Sequence, residues 1–375
     1  MAFNHEMKEH WMSVIIGIDP HKSTHTAVAV DRDEQPVARL TLPARAGQTE
    51  RLLAWAEPLD TDRVWAIESA AGLGRLLAQQ LIAAGERVID VPPTLSARVR
   101  LLSSSRTDKN DTNDALSTAT AGMRHCGLRV VRPDDQLVVL RLLADRHHDL
   151  TGLRTQAACR LHVMFRELIP GGARLRVSAA HARRLLDGIE PVDPVSSERH
   201  RLAYEHLADI ERIDAEIDAV KQRIAAHVTA TGTAITELHG VGPVIAAIVL
   251  GQVGDIGRFR TRAQFANYNG TAPIEVSSAN KNRHRVSTRG NRALNHAIHM
   301  IAVTQVAHDT PGRAYYLRKQ AEGKSRKEAL RSLKRRVSDA VWRQLQLGLP
   351  RVWLTSLMWG AALRKDGCHA QELPA

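Results

Sequence analysis

Three aspartates, Asp108, Asp111 and Asp114, recur at three-residue spacing in SSSRTDKNDTNDA, residues 103–115. A solvated turn explains one or two of them. A bound cation explains a pair, provided that other carboxylates converge on the same point. Two further acids are placed to do so: Asp19 ends the apolar run SVIIGID, and Glu68 nearly ends RVWAIES. If both runs are strands of one sheet, each acid is delivered to a strand end, where α/β sheets build their sites. On a helix, Asp111 and Asp114 are i,i+3 neighbours on one face, while Asp108 lies well round from Asp114. Asp111 could equally cap that helix, with Thr112 and Asn113 as natural starting residues. Four acids at one point repel one another unless a cation neutralises them, and Mg2+ is the expected occupant. Two such ions about 4 Å apart would clamp the attacking and leaving oxygens of a phosphodiester displacement.

Those acids need a scaffold. Residues 13–130 alternate strand and helix patterns: SVIIGID, THTAVAVD, QPVARLTLP, RVWAIES and RVIDVPP read as strands. AAGLGRLLAQQLIAAG has helical period and a glycine stop. An α/β domain with a central mixed sheet follows. From 134 to 230 the pattern becomes that of two long amphipathic helices, the first ended by Pro170-Gly171-Gly172. They suit a spacer or a dimerising coiled coil, or simply pack on each other in one chain. In 231–345, Gly240-Val241-Gly242 before Pro243 reads as a helix-hairpin-helix turn, whose glycines let backbone amides approach a phosphate. The remaining 346–375 form a C-terminal tail.

The partner is indicated by charge. The 375 residues carry a formal charge of +12, which predicts a polyanion, since every neutralised phosphate releases counterions. Residues 281–292, KNRHRVSTRGNR, hold five basic residues and no acid, and KSRKEALRSLKRR at 324–336 holds seven against one. Each run alone reads as a solvated face; two in one domain point to a nucleic-acid surface. Aromatics at 4% disfavour a stacking platform for single strands. Three scattered cysteines, Cys126, Cys159 and Cys368, fit neither a zinc site nor a disulfide framework. With no signal peptide and no apolar run of membrane-spanning length, the expected protein is cytoplasmic and soluble, without a membrane partner.

The motifs GIDPHKSTHTAVAVD, AIESAAGLGRLLAQQL, DKNDTNDALSTA and LHGVGPVIAAIVLGQVGDIGRFRTRAQFANYNGTAPIEVSSANKNRHRVSTRGNRALNHAIHMIA, in that order, resemble the DEDD-type insertion-sequence transposases. The resemblance covers roughly residues 13–340. It implies a RuvC/RNase H-like catalytic domain at 13–130, a helical coiled-coil spacer at 131–230 and a mainly helical serine-bearing domain at 231–345. Carried over by position, the acids are Asp19, Glu68, Asp111 and Asp114, holding Mg2+, two ions per site. Asp108 remains open as a replacement for Asp114. The family's serine falls at Ser278, with Ser277 as the fallback, because Ala279 stands where relatives usually have glycine. Gly240, Gly242, Lys281, Arg283, Arg285, Arg289 and Arg292 are the nucleic-acid-binding candidates. The resemblance further implies cutting and rejoining of double-stranded donor and target DNA, an element-encoded guide RNA, and a homo-oligomer, dimer or tetramer. A junction-resolving metal nuclease and a non-catalytic DNA-binding protein are the alternatives.

Overall fold

The computed structural model describes residues 14–103, 110–125, 127–174, 177–278, 281–286 and 290–347, with the backbone alone for residues 103, 274–278 and 281–286. They fall into two compact units, divided between Asp134 and Asp135.

The N-terminal unit is built on strands β1 (Val14–Pro20), β2 (Thr24–Val30), β3 (Pro36–Pro43), β4 (Arg63–Glu68), β5 (Arg87–Val91) and β6 (Arg129–Val130). Its helices are α1 (Gln48–Ala56), α2 (Arg75–Ala83), α3 (Pro93–Ser103) and α4 (Asp111–Arg124). The six strands form one mixed sheet in the order β3-β2-β1-β4-β5-β6. β1, β2 and β3 run antiparallel, β4 and β5 run parallel to β1, and β6 closes the far edge antiparallel to β5. Ile16, Ile18, Trp65 and Ile67 pack with Leu52 of α1 and Leu77 and Leu81 of α2. Ile15, Val28, Val64 and Ala66 face Ala115 and Ala119 of α4 instead. Both faces are covered, so these strands appear in the sequence as continuous apolar runs rather than as alternation.

One contact sets how closely α4 lies on the sheet. A Cβ on Gly17, in the middle of β1, would sit 2.1 Å from the Ala115 carbonyl oxygen and 2.5 Å from the Ala119 nitrogen. Only a residue without a side chain lets the helix backbone come this close. The small residues of ALSTATAG serve the same approach from the helix side, and Ala115, Thr118 and Ala119 are wholly buried.

In the second unit α5 (Gln136–Leu168) and α7 (Pro194–Ala230) are the two expected long helices, with the short α6 (Ala179–Asp187) beside them. Asp135 caps α5 by accepting from the Leu137 and Val138 amides, and α7 opens with a capping box between Asp193 and Ser196. The helices run antiparallel against each other within the chain. Arg146 reaches Glu216 at 2.7 Å, and Arg199 reaches Glu167 at 2.6 Å. Ala157, Leu161 and Phe165 interlock with Ala203, Leu207 and Ile210, so each apolar stripe is covered by the other.

The remainder comprises α8 (Pro243–Val253), α9 (Arg262–Tyr268), the hairpin of β7 (Pro273–Ser278) and β8 (Lys281–Val286), α10 (Arg292–Ala307), α11 (Pro311–Ala321) and α12 (Arg326–Leu347). Leu140, Leu143, Ile217 and Val220 of the long helices share one core with Val249, Phe265, Ile298, Ile301 and Val337. Pro243 opens α8 as expected, but the arm before the Gly240-Val241-Gly242 turn is a single 3-10 turn, Ala234–Glu237. Among the described residues no helix is long and apolar enough to cross a membrane.

Replacing Gly17 by alanine is expected to cost about 1–3 kcal/mol, because the obstructing atoms are backbone and cannot swing away. Urea unfolding measures this directly. A midpoint equal to wild type would mean that α4 does not depend on this close approach.

Candidate metal centre

The acids at the sheet edge are brought together by strand register. β1 and β4 pair in parallel with Ile18 opposite Ile67, so the next residues, Asp19 and Glu68, stand side by side where the pairing ends. Beyond Glu68 the chain must turn at once. Ser69 takes a left-handed conformation, φ 53°, which costs a non-glycine residue about 1–3 kcal/mol, and the Ala70 amide is held by Asp90 Oδ1 at 2.8 Å.

α4 supplies the other pair. Its cap is Asn110, whose side chain accepts from the Asn113 amide at 2.8 Å, and not Asp111, for which capping was one expectation. Asp111 is therefore the first helical residue with an exposed carboxylate, and Asp114 lies one turn further in, buried at 8% exposure. Thr118, the next turn, donates to the Asp114 carbonyl oxygen at 2.9 Å and stands 3.4 Å from Glu68 Oε2 and 3.2 Å from Ser96 Oγ. Arg100 of α3 pairs with the Asp114 carboxylate.

His21 was not singled out from the sequence. Its Nε2 lies 3.1 Å from Asp19 Oδ2 and 3.5 Å from Asp111 Oδ1, bridging the strand acid to the helix acid. Ligand atoms of Asp19, His21 and Asp111 all lie within 4.8 Å of one another, a spacing that one divalent cation can span. The only signal in the sequence was its position, two residues past Asp19.

Electrostatics shows the same need for positive charge. Burial, then the charges of Asp114 and Asp111, push the Asp19 carboxyl above its ordinary range, with His21 pulling the other way. Glu68 is likewise raised, by burial first and then by Asp19 and Asp114, against hydrogen bonds from Ser96 and Thr118. This acidic, oxygen-rich donor set fits a hard divalent ion.

The other predicted residues lie in the second unit or outside the described residues. Ser277 and Ser278 end strand β7, with their backbones opposite Asn282 and Lys281 of β8. Arg283 and Arg285 also belong to β8, while Asp108 and Arg289 lie outside the described residues. Arg292 is exposed at the start of α10. Gly240 has φ 93° and packs on α10, where a Cβ would meet the Ile301 carbonyl oxygen at 3.1 Å. Gly242 caps α8 with open space around it.

Because the Asp19 and Glu68 carboxyls are raised on folding, the stability they lend is full below the ordinary carboxylate range. It is lost as pH rises through their folded values. Asp19→Asn removes one repelling charge and should raise the melting temperature of chelator-treated protein at pH 8. A divalent ion at a hundred times its Kd should stabilise wild type by about 2.7 kcal/mol and the variant far less. An equal metal-dependent shift in both, read by thermal melting, would place the ion elsewhere.

Known proteins extend this picture. A DEDD transposase model of the IS110 group matches residues 16–170, and a model described as transposase IS116/IS110/IS902 family matches residues 232–317. The chain is 27% identical to the IS116 uncharacterized 44.8 kDa protein of Streptomyces clavuligerus, over 88% of this chain and 94% of that one. It is also 27% identical to the IS900 uncharacterized 42 kDa protein of Mycobacterium paratuberculosis, over 88% and 95%. A probable family 20 transposase of Pseudomonas aeruginosa is 26% identical over 74% and 80%. Among solved structures, T. thermophilus RuvC in complex with a Holliday junction substrate is similar at 15% identity and a TM-score of 0.26, over 32% of this chain and 99% of that one. The two family models match successive stretches that together make up more than half of the sequence, and the chain belongs to the IS110/IS116 family of insertion-element transposases.

Proposed function

We propose that this protein moves an insertion element by cutting and rejoining DNA strands, using the acidic centre of its N-terminal unit and a serine of its C-terminal unit. The observation that carries the reading is the delivery of Asp19, Glu68, Asp111 and Asp114 to one edge of the mixed sheet. Two Mg2+ ions held there would stabilise charge on the attacking and leaving oxygens of a phosphodiester.

The chain's own groups have separate tasks. His21 orients Asp19 and Asp111, and Arg100 holds Asp114 in its rotamer. Ser278, or Ser277, is the nucleophile. Its Oγ forms a bond to phosphorus as the bond from phosphorus to the departing sugar oxygen breaks, and the serine proton ends on that sugar hydroxyl. The covalent phosphoserine keeps the energy of the broken bond, so the reverse step joins a new strand. Lys281, Arg283, Arg285, Arg289 and Arg292 neutralise backbone phosphates. Guide RNA and assembly as a dimer or tetramer rest on the resemblance alone. Sequence choice delegated to RNA suits a protein rich in backbone-binding arginine.

Protein denatured during reaction with Mg2+ and cognate DNA is expected to carry DNA on a serine, found by peptide mass. Ser278→Ala should lose adduct and recombination together while binding DNA normally. Alanine at Asp19, Glu68, Asp111 or Asp114 should each cost about 10²-fold or more in cleavage rate. Cleavage without any adduct would leave a junction-resolving nuclease, which needs only the acids. Tight binding with no cleavage would leave a DNA-binding protein. Recombination surviving in the Ser277/Ser278 double alanine variant would sink the serine mechanism.

A further inference from the structure

The C-terminal unit holds a second polar site. On α10, Arg292, Asn295, His296 and His299 recur at i, i+3, i+4 and i+7, a single stripe, while Leu294, Ala297, Ile298 and Ile301 are buried. The stripe lines a cleft of about 320 Å3, whose other walls are Asn269, Gly270 and Gly290. A volume of that order admits a small ligand or one backbone unit of a polymer.

The cleft is rigidly built and positively charged. Asn269, wholly buried, donates to Ser338 Oγ at 2.8 Å, and its backbone carbonyl accepts from Asn295 Nδ2 at 2.7 Å. Asn295 Oδ1 in turn accepts from Lys334 Nζ of α12 at 2.8 Å. Burial holds the Lys334 ammonium below lysine's ordinary range. Burial, then the charges of Lys334 and His296, hold His299 below its own. A lysine kept partly dry beside the His299 imidazole is costly unless an anion neutralises it. The cleft also lies at the root of the β7–β8 hairpin. A Cβ on Gly290 would fall 2.6 Å from the Gly270 nitrogen, so the segments entering and leaving the hairpin pinch together at the rim.

We propose that this cleft seats a backbone phosphodiester of bound nucleic acid at the base of the serine-bearing hairpin. Arg292, His296 and His299 act as donors, and Lys334 is a fixed charge beneath them. The assignment deepens the function proposed above and rests on it, yet it is tested by binding alone. Full-length protein in chelator, where cleavage does not intervene, is titrated with a DNA duplex and with single-stranded RNA over a series of salt concentrations.

Arg292→Gln with His296→Gln, both at exposed positions, is expected to weaken binding about tenfold. It should flatten the salt slope by about 0.9 per lost contact on duplex or about 0.7 on a single strand, on whichever nucleic acid occupies the cleft. Arg160→Gln with His148→Gln, the same pair of residue types on the exposed face of α5, should do much less. Lys334→Met should keep or raise the melting temperature while lowering affinity. Equal losses in the cleft and control pairs, or unchanged slopes on both nucleic acids, would overturn the assignment. So would a destabilised Lys334→Met with normal binding. Absence of serine adducts would overturn the recombinase reading while leaving these binding results intact.

Discussion

The N-terminal unit depends on the approach of α4 to β1 at Gly17. With the Ala115 carbonyl and the Ala119 amide occupying the space a Gly17 Cβ would need, the first turn of α4 is carried to the strand end where Asp19 emerges. Any side chain at residue 17 would push the helix outward and move Asp111 and Asp114 away from Asp19 and Glu68. The consequence is electrostatic. Carboxylates that close, in surroundings dry enough to raise Asp19 and Glu68, store repulsion that folding must bear from elsewhere. The three-layer core bears it, with strands buried on both faces. A site of this kind is stable because of its scaffold and is reactive because its own charges are unbalanced.

Much of this was legible in the sequence. The strands declared themselves as apolar runs, since a sheet covered on both faces needs no polar alternation, and an acid ending such a run stands out. The cap was not legible: Asn110, Asp111, Thr112 and Asn113 are all competent caps, and only the backbone at Asn110 decides between them. His21 was hidden for a different reason. A lone histidine after a strand has no periodicity, and its role comes from α4 arriving opposite it. The strand β8 reads from the sequence as a charge run because KNRHRV holds a single β-branched residue, Val286, among polar and basic ones. Pairing with PIEVSS, not local preference, makes it a strand.

The cleft on α10 shows the same limit. Its helical spacing, 292, 295, 296 and 299, was present in RALNHAIHM, but the surrounding basic runs drew attention to number of charges rather than to their placement. Lys334 is one of seven basic residues in its run. Tertiary burial and a bond to Asn295 distinguish it from the exposed Arg331 and Arg336 on the same helix. Charge counts identify a partner class; burial identifies which charges are committed to it.

The acidic centre and the cationic hairpin root lie in different compact units. Were the cationic hairpin root folded into the same core as Asp19 and Glu68, the groups would pair, as Arg100 pairs with Asp114. Each pair so formed would remove a metal ligand and a phosphate donor together. Arg100 shows how far such pairing can go without closing the site: it engages one carboxylate of four, and Asp19, His21 and Asp111 still offer three ligand atoms to a cation. The net charge of +12 therefore does not describe the local field at the acidic centre. A polyanion brought to the acidic centre would be repelled by it until a divalent cation reverses the local sign.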